Sequence, residues 1–197
     1  MKNPVVFLLT LVALLLCGGK LVAADARESD HQALRELLAA VTKDLNERKI
    51  ADIAQYLDAD CSLTFVDQTV IHDRAGLDQA FARWFAPGGN LASVRFAPTV
   101  VNGTIFTGPD TGWVAGTSDD LYTLTDGRSG VMPSHWTATV VRRGMIWKLS
   151  TLHAGVDPQD NAILHMVESS ARRAVIITGI IALLTGGLIS WLLMRRR

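Results

Sequence analysis

The sequence predicts an α+β domain, helices first and then a curved antiparallel sheet, followed by one membrane-spanning helix at the C-terminus. Three observations predict it. Before residue 90, apolar residues recur at helical spacing. After Asn90, long β-rich stretches alternate loosely and are broken by Asn102-Gly103, Asp126-Gly127 and Arg143-Gly144. Ala174 to Met194 is then an uncharged run of 21 residues, and about 20 apolar residues cross a bilayer as a helix.

Each element has its own signal. From Asp30 to Arg48, Ala33, Leu34, Leu37, Leu38, Val41 and Leu45 lie three and four apart, one apolar stripe of a helix. Ser29 or Asp30 can cap its start. Ala51 to Leu57 predicts a second, short helix. Ser62 to Val66 and Val70 to His72 predict two short strands around Asp67-Gln68. Arg74 to Phe85 predicts a third helix, capped by Asp73. Its apolar face carries Leu77, Ala80, Phe81, Trp84 and Phe85, and Pro87-Gly88-Gly89-Asn90 stops it. Ser93 to Val101, Thr111 to Thr125, Val131 to Arg143 and Met145 to His153 predict the strands of the sheet. Asp126-Gly127 and Arg143-Gly144 suit tight hairpins. Asp157 to Arg173 predicts a short helical stalk beginning after Pro158.

Side-chain alternation assigns faces. In the last strand Lys148 belongs in water, so Trp147, Leu149, Thr151 and His153 are expected to point inward. In the strand before it, Met132, Ser134, Trp136, Ala138 and Val140 form the inward set, and His135 faces the other way. In Thr111 to Thr125 neither set is clean. Gly116 weakens pairing there and is a candidate bulge, which would flip the assignment.

The other end of the chain reads as a secretory signal, residues 1–26. Lys2 precedes a 12-residue apolar stretch, Val5 to Leu16, and Val22-Ala23-Ala24 or Ala24-Asp25-Ala26 offers a cleavage site. An uncleaved N-terminal anchor is the alternative; a lipoprotein through Cys17 is disfavoured, because Leu16 stands where a small residue is needed. Arg195, Arg196 and Arg197 favour a cytoplasmic C-terminus over Arg172 and Arg173 on the other side. The expected arrangement is a signal (1–26), a domain (27–156), a stalk (157–173), a span (174–194) and a basic tail (195–197). It places the domain outside the cytoplasm, in the periplasm of a bacterium with two membranes, held on the inner membrane.

Composition narrows the function. Without its two ends the chain keeps about 145 residues, one ordinary domain. The whole chain has 19 basic and 19 acidic residues and no basic patch, which argues against nucleic acid. Cys61 is the only cysteine outside the signal, so no intramolecular disulfide is expected. The histidines at 31, 72, 135, 153 and 165 lack metal-binding spacing, and no cofactor fingerprint is present, so neither metal nor cofactor is expected.

Three local patterns carry a resemblance. The first is Leu45-Asn46-Glu47-Arg48 followed by Asp52-Ile53 and Tyr56-Leu57. The second is Ala115 to Asp120 running into Tyr122-Thr123-Leu124-Thr125-Asp126-Gly127. The third is Trp136-Thr137-Ala138-Thr139, then Gly144, Trp147-Lys148 and Leu152-His153. Together with the order of elements, over roughly residues 30 to 155, they resemble the nuclear transport factor 2-like superfamily and its bacterial SnoaL-like members. The whole arrangement is similar to membrane-tethered bacterial members without an assigned activity. The resemblance implies a cone, a bent sheet wrapped round a helix with a pocket at the wide end. In that superfamily some members are isomerases, dehydratases or hydrolases and others only bind, so fold leaves function open.

Candidate site residues are weighed against plainer roles. Asp119 and Asp120 point to opposite faces, so one can enter a pocket, where Asp120 could act as a general base; a strand-end pair bonded to backbone and solvent is the alternative. His153 could serve as acid or base, or be a buried structural histidine. Tyr122 shares the face of Asp120 and could donate to a ligand oxygen, or pack as core. Ser134, Trp136 and Trp147 are the remaining expected pocket-wall residues. In the span, Thr178, Ala182, Gly186 and Ser190 recur every four residues, which lets two helices approach and suggests a homodimer. The expected function is a tethered domain that binds a small apolar or amphipathic molecule or an envelope protein. A small-molecule isomerase, dehydratase or hydrolase using Asp120, His153 and Tyr122 is the first alternative, and a structural scaffold the second.

Overall fold

The computed structural model describes residues 27–195. The expected signal, with Cys17 and both cleavage positions, and Arg196 and Arg197 of the tail lie outside the described residues.

The first helix, α1, runs from 27 to 46. Leu34 is buried, and Leu37, Leu38, Val41 and Leu45 are half-buried on the same face. Ala33 is exposed, so the apolar stripe is narrower than its spacing suggests. The second helix, α2, is only Ile50–Ile53 and tightens into a 3₁₀ turn at Ala54–Tyr56. Strand β1 (Leu57–Thr64) starts five residues before the expected Ser62 and is followed by β2 (Val70–Ile71). The third helix, α3 (Arg74–Trp84), is capped by Asp73, whose Oδ1 accepts from the Gly76 N–H at 2.7 Å.

The rest of the sheet is β3 (Leu91–Arg95), β4 (Pro98–Val100), β5 (Ile105–Phe106), β6 (Thr111–Leu124), β7 (Ser129–Arg143) and β8 (Ile146–Val156). The order is β2-β1-β8-β7-β6-β3, with β4 and β5 also paired along the edge of β6. All pairs are antiparallel except β1 with β8, which run parallel. The single strand expected over 93–101 is two strands. It breaks because two amides leave the ladder: Phe96 N–H donates to Asn46 Oδ1 at 2.7 Å, and Ala97 N–H to Asp120 Oδ1 at 3.0 Å. Both expected hairpins form, and Gly144 supplies the positive φ (65°) of the second.

Two details of register govern which side chains face inward. Gly116 makes no bulge: β6 and β7 pair without interruption from Thr111–Val141 to Thr123–Ser129. The irregularity lies in β8 instead, where Val140 pairs with Leu149 and Thr139 with Thr151, leaving Ser150 extra. That bulge flips the alternation. Trp147 and Leu149 point inward before it, Leu152 and Ala154 after it. His153 therefore faces outward and is exposed, contrary to expectation.

The buried apolar residues form three clusters. The largest joins α2, β1, β2 and α3 through residues such as Ile53, Leu63, Ile71, Leu77 and Phe81. Each large side chain so buried contributes about 1.5–3 kcal/mol. Cys61 lies in this cluster as a small buried side chain, its thiol donating to the His72 carbonyl. The second cluster is Leu34, Val140 and Trp147 under the start of α1; the third is Val114, Trp136 and Ala138. The first and third meet at the half-buried Leu149 and Leu152, and a cavity lies between α1 and the sheet.

The C-terminal helix, α4, is continuous from Ala162 to Arg195, so the expected stalk and span are one element. Asn161 caps it, accepting from the Leu164 N–H at 3.0 Å. Its first turns rest on the sheet: Ala162 and Met166 lie over Gly130 of β7, and Arg128 donates to the Ser170 hydroxyl at 2.9 Å. Beyond that it leaves the domain. It is long and apolar enough to cross a membrane, and its apolar window is entirely unburied.

Candidate functional site

The inward faces of β6, β7 and β8, roofed by α1, enclose a partly open cavity of about 280 Å³. Its walls are chiefly apolar: Leu38, Val41 and Leu45 above, Trp136, Ala138 and Leu152 below. That size is at the lower edge of small-molecule pockets, roughly 300–1,000 Å³.

Polar groups gather at one end. Continuous pairing of β6 with β7 puts Ser118, Asp120 and Tyr122 on one face, opposite Ser134. Asp119 points out and is exposed. Asp120 is 5% exposed. Its Oδ1 accepts from the Ser118 hydroxyl and from Ala97 N–H, and the Ser134 hydroxyl donates weakly to the Ser118 carbonyl at 3.5 Å. Among the described residues, Oδ2 of Asp120 and the Tyr122 hydroxyl have no hydrogen-bond partner, and neither is a sealed, unsatisfied atom. Both residues line the cavity.

Electrostatics follow from this placement. Burial pushes the Asp120 carboxyl above the usual carboxylate range; the Ser118 hydroxyl and Ala97 N–H oppose the rise, and Asp119 adds to it. Burial, and then the charges of Asp120 and Asp67, push the Tyr122 phenol well above its ordinary value. A carboxyl whose folded pKa is raised stabilises the fold least when ionised. Its cost sets in as pH rises from the unfolded value of 3.8 through the raised folded value, and persists above it. Asp120→Asn keeps an oxygen for Ser118 and Ala97 and removes the charge. It is expected to raise the melting temperature at pH 7 by roughly 2–4 °C and to leave it unchanged at pH 3, read by circular dichroism of both proteins at both pH values. Equal melting at pH 7 would show that the buried charge costs nothing.

Of the other expected wall residues, Ser134 and Trp136 line the cavity, and the indole N–H of Trp136 donates to the Thr117 carbonyl at 3.0 Å. Trp147 does not line it. It plugs the narrow end against Leu34, Val140 and Phe106, and its N–H donates to Asp30 at 3.0 Å. His153 is displaced by the bulge to the outer face, beside His135 and Thr137. Ser118 and His31 also line the cavity and were not anticipated. Ser118 was legible as the residue two before Asp120. His31 shares the helix face of Leu34 and Leu38, the one cue for it. It cannot assist Asp120, which sits by Phe96-Ala97, where Asn46 of α1 also bonds. From His31 to Asn46 the helix advances about 22 Å. Among the described residues, no three His, Cys, Asp or Glu side chains gather where they could hold a metal.

Solved structures of similar shape include a type 2 hexachlorocyclohexane dehydrochlorinase (TM-score 0.59, 17% identity, 67% of this chain and 88% of that one). A scytalone dehydratase-like protein from Novosphingobium aromaticivorans matches at TM-score 0.58 and 13% identity, over 68% of this chain and 88% of its own. A dehydratase-like protein of the nuclear transport factor 2-like family from Streptomyces avermitilis matches at 0.55 and 19%, over 66% and 98%. The domain thus has the nuclear transport factor 2-like cone fold, as the sequence resemblance implied. No protein-family profile matches the chain, and no curated protein sequence matches it.

Proposed function

We propose that this chain is a small-molecule-binding protein tethered to a membrane by α4, with its cone outside the cytoplasm and its C-terminus inside. One observation carries the reading: a cavity left unfilled between α1 and the sheet, chiefly apolar, with Asp120, Ser118, Ser134 and Tyr122 gathered at one end. A scaffold gains nothing from forgoing that packing. Support for the tether is the length and apolarity of α4, and for its direction the signal-like start and the three terminal arginines. The setting is a bacterial inner membrane with the cone in the periplasm. A second copy, paired through Thr178, Ala182, Gly186 and Ser190, fits the open space around Gly186.

A second reading has its own observation. A buried, proton-affine carboxyl beside a phenol suits proton abstraction, and the structural neighbours include a dehydrochlorinase and dehydratase-like proteins. Asp120 would then be the base of an eliminating or isomerising enzyme, without His153.

Native mass spectrometry of the full-length chain, released from detergent micelles, tests both. The expected result is a protein ion carrying one small molecule, lost in Trp136→Ala. Fresh protein returning that molecule intact supports binding alone; conversion that stops in Asp120→Asn supports the enzyme. An empty cone under all conditions would sink both.

A further inference from the structure

We propose that the cavity takes a single-chain membrane amphiphile whose head is an uncharged hydroxyl, with the head at Asp120 and Tyr122 and the chain along the apolar walls. This deepens the binding reading above and rests on it.

The chemistry of the polar end selects the head. Asp120 Oδ1 is already saturated by two donors, while Oδ2 is a free acceptor. The Tyr122 hydroxyl, two residues along the same face, is a free donor. A hydroxyl both donates and accepts, so it can satisfy Oδ2 and the phenol together. A carboxylate head can only accept, and would stand against a second carboxylate in an apolar setting. The opposite end of the cavity is lined by His31 and Arg35, the latter paired with Glu28 at 2.6 Å, and an anionic head would have to compete with that carboxylate there.

The position of α4 selects the source. Tyr122 pairs directly with Gly130, and Gly130 is the residue against which Ala162 and Met166 pack on the inner face. The polar end of the cavity is therefore beside the first turns of the apolar helix. From Met166 to Ala174, where the uncharged run begins, is eight residues, about 12 Å of helix. A cone held there samples amphiphiles of the membrane surface at high local concentration. Arg128, bonded to Ser170, fixes the hairpin to the helix and so keeps that end turned toward the bilayer.

The test uses the full-length chain in phosphatidylcholine vesicles, titrated at pH 7 with 1-decanol or with decanoate and followed by the change in tryptophan emission. Decanol is expected to saturate the signal and to bind roughly tenfold or more tighter than decanoate. Asp120→Asn is expected to abolish the preference between the two, and Tyr122→Phe to weaken decanol while sparing decanoate. Circular dichroism confirms that both variants are folded. Decanoate binding as tightly as decanol, or its affinity depending on Arg35, overturns the proposal. So does the absence of binding by either while native mass spectrometry still finds a water-soluble molecule in the cone; in that case the binding reading stands and this one fails. An empty cone in both experiments removes both.

Discussion

Replacing Gly116 by alanine is expected to destabilise the domain by about 3 kcal/mol, the upper part of the range for forcing atoms into a packed site. A Cβ at this position would lie 2.2 Å from the Thr99 carbonyl oxygen and 2.3 Å from the Trp136 ring. Neither neighbour can yield cheaply. The Thr99 oxygen belongs to β4, which pairs with β6 at this point. The Trp136 indole is anchored to the Thr117 carbonyl and forms the cavity wall. Relief requires either parting β4 from β6 or driving the indole into the cavity. For comparison, Gly155 has nothing within 4 Å of its would-be Cβ, so Gly155→Ala should cost well under about 1 kcal/mol. Urea unfolding of the two variants gives the answer. If they unfold alike, the neighbours of Gly116 yield to the added methyl at no cost and the prediction fails.

Removing Asp30 is expected to cost nearly as much, through polar groups rather than crowding. Its side chain is 12% exposed and serves three donors. Oδ1 accepts from Arg142 and from the Trp147 indole, each at 3.0 Å, and Oδ2 from Arg27 at 3.4 Å. These contacts join α1 to β7 and β8 at the narrow end. Asp30→Ala strands a buried indole N–H and leaves Arg142 with Asp110, the Pro109 carbonyl and the face of the Trp147 ring. Losses of this kind run to about 2–4 kcal/mol. Asp30→Asn retains an acceptor for Trp147 and should lie between the alanine variant and the native protein. That order, read from urea midpoints, separates the hydrogen bond to Trp147 from the charge. An asparagine variant as weak as alanine would assign the effect to the ion pair alone.

The sequence made the long elements readable because their signals are local. The stripe of α1, the cap at Asp73 and the clean alternation of β7 from Met132 to Val140 each depend on neighbours a few residues away. The same alternation put Ser134 and Trp136 on the inner face and Asp120 with Tyr122 on one side of β6. What escaped depends on distant partners. The early start of β1 follows from its parallel pairing with β8, some ninety residues on. The split between β3 and β4 exists because Asn46 and Asp120 capture two amides. The error over His153 came from a bulge at Ser150, which has no turn residue to announce it. At Gly116 the missing side chain signals no bulge but makes room for Trp136 and for the Thr99 carbonyl. Trp147 points inward as its alternation predicts, but there inward means core, against Leu34 and Val140.

The continuity of α4 has a mechanical consequence. From Ala162 to Thr178 it contains neither glycine nor proline, the residues at which helices most readily bend. Its first turns are pinned to β7, so the cone rides on a stiff lever rather than swinging on a rope. That stretch is 17 residues, about 26 Å of helix. Tilt or rotation imposed on this stretch is expected to reach the sheet, while Gly179, Gly186 and Gly187 are where the far half can bend.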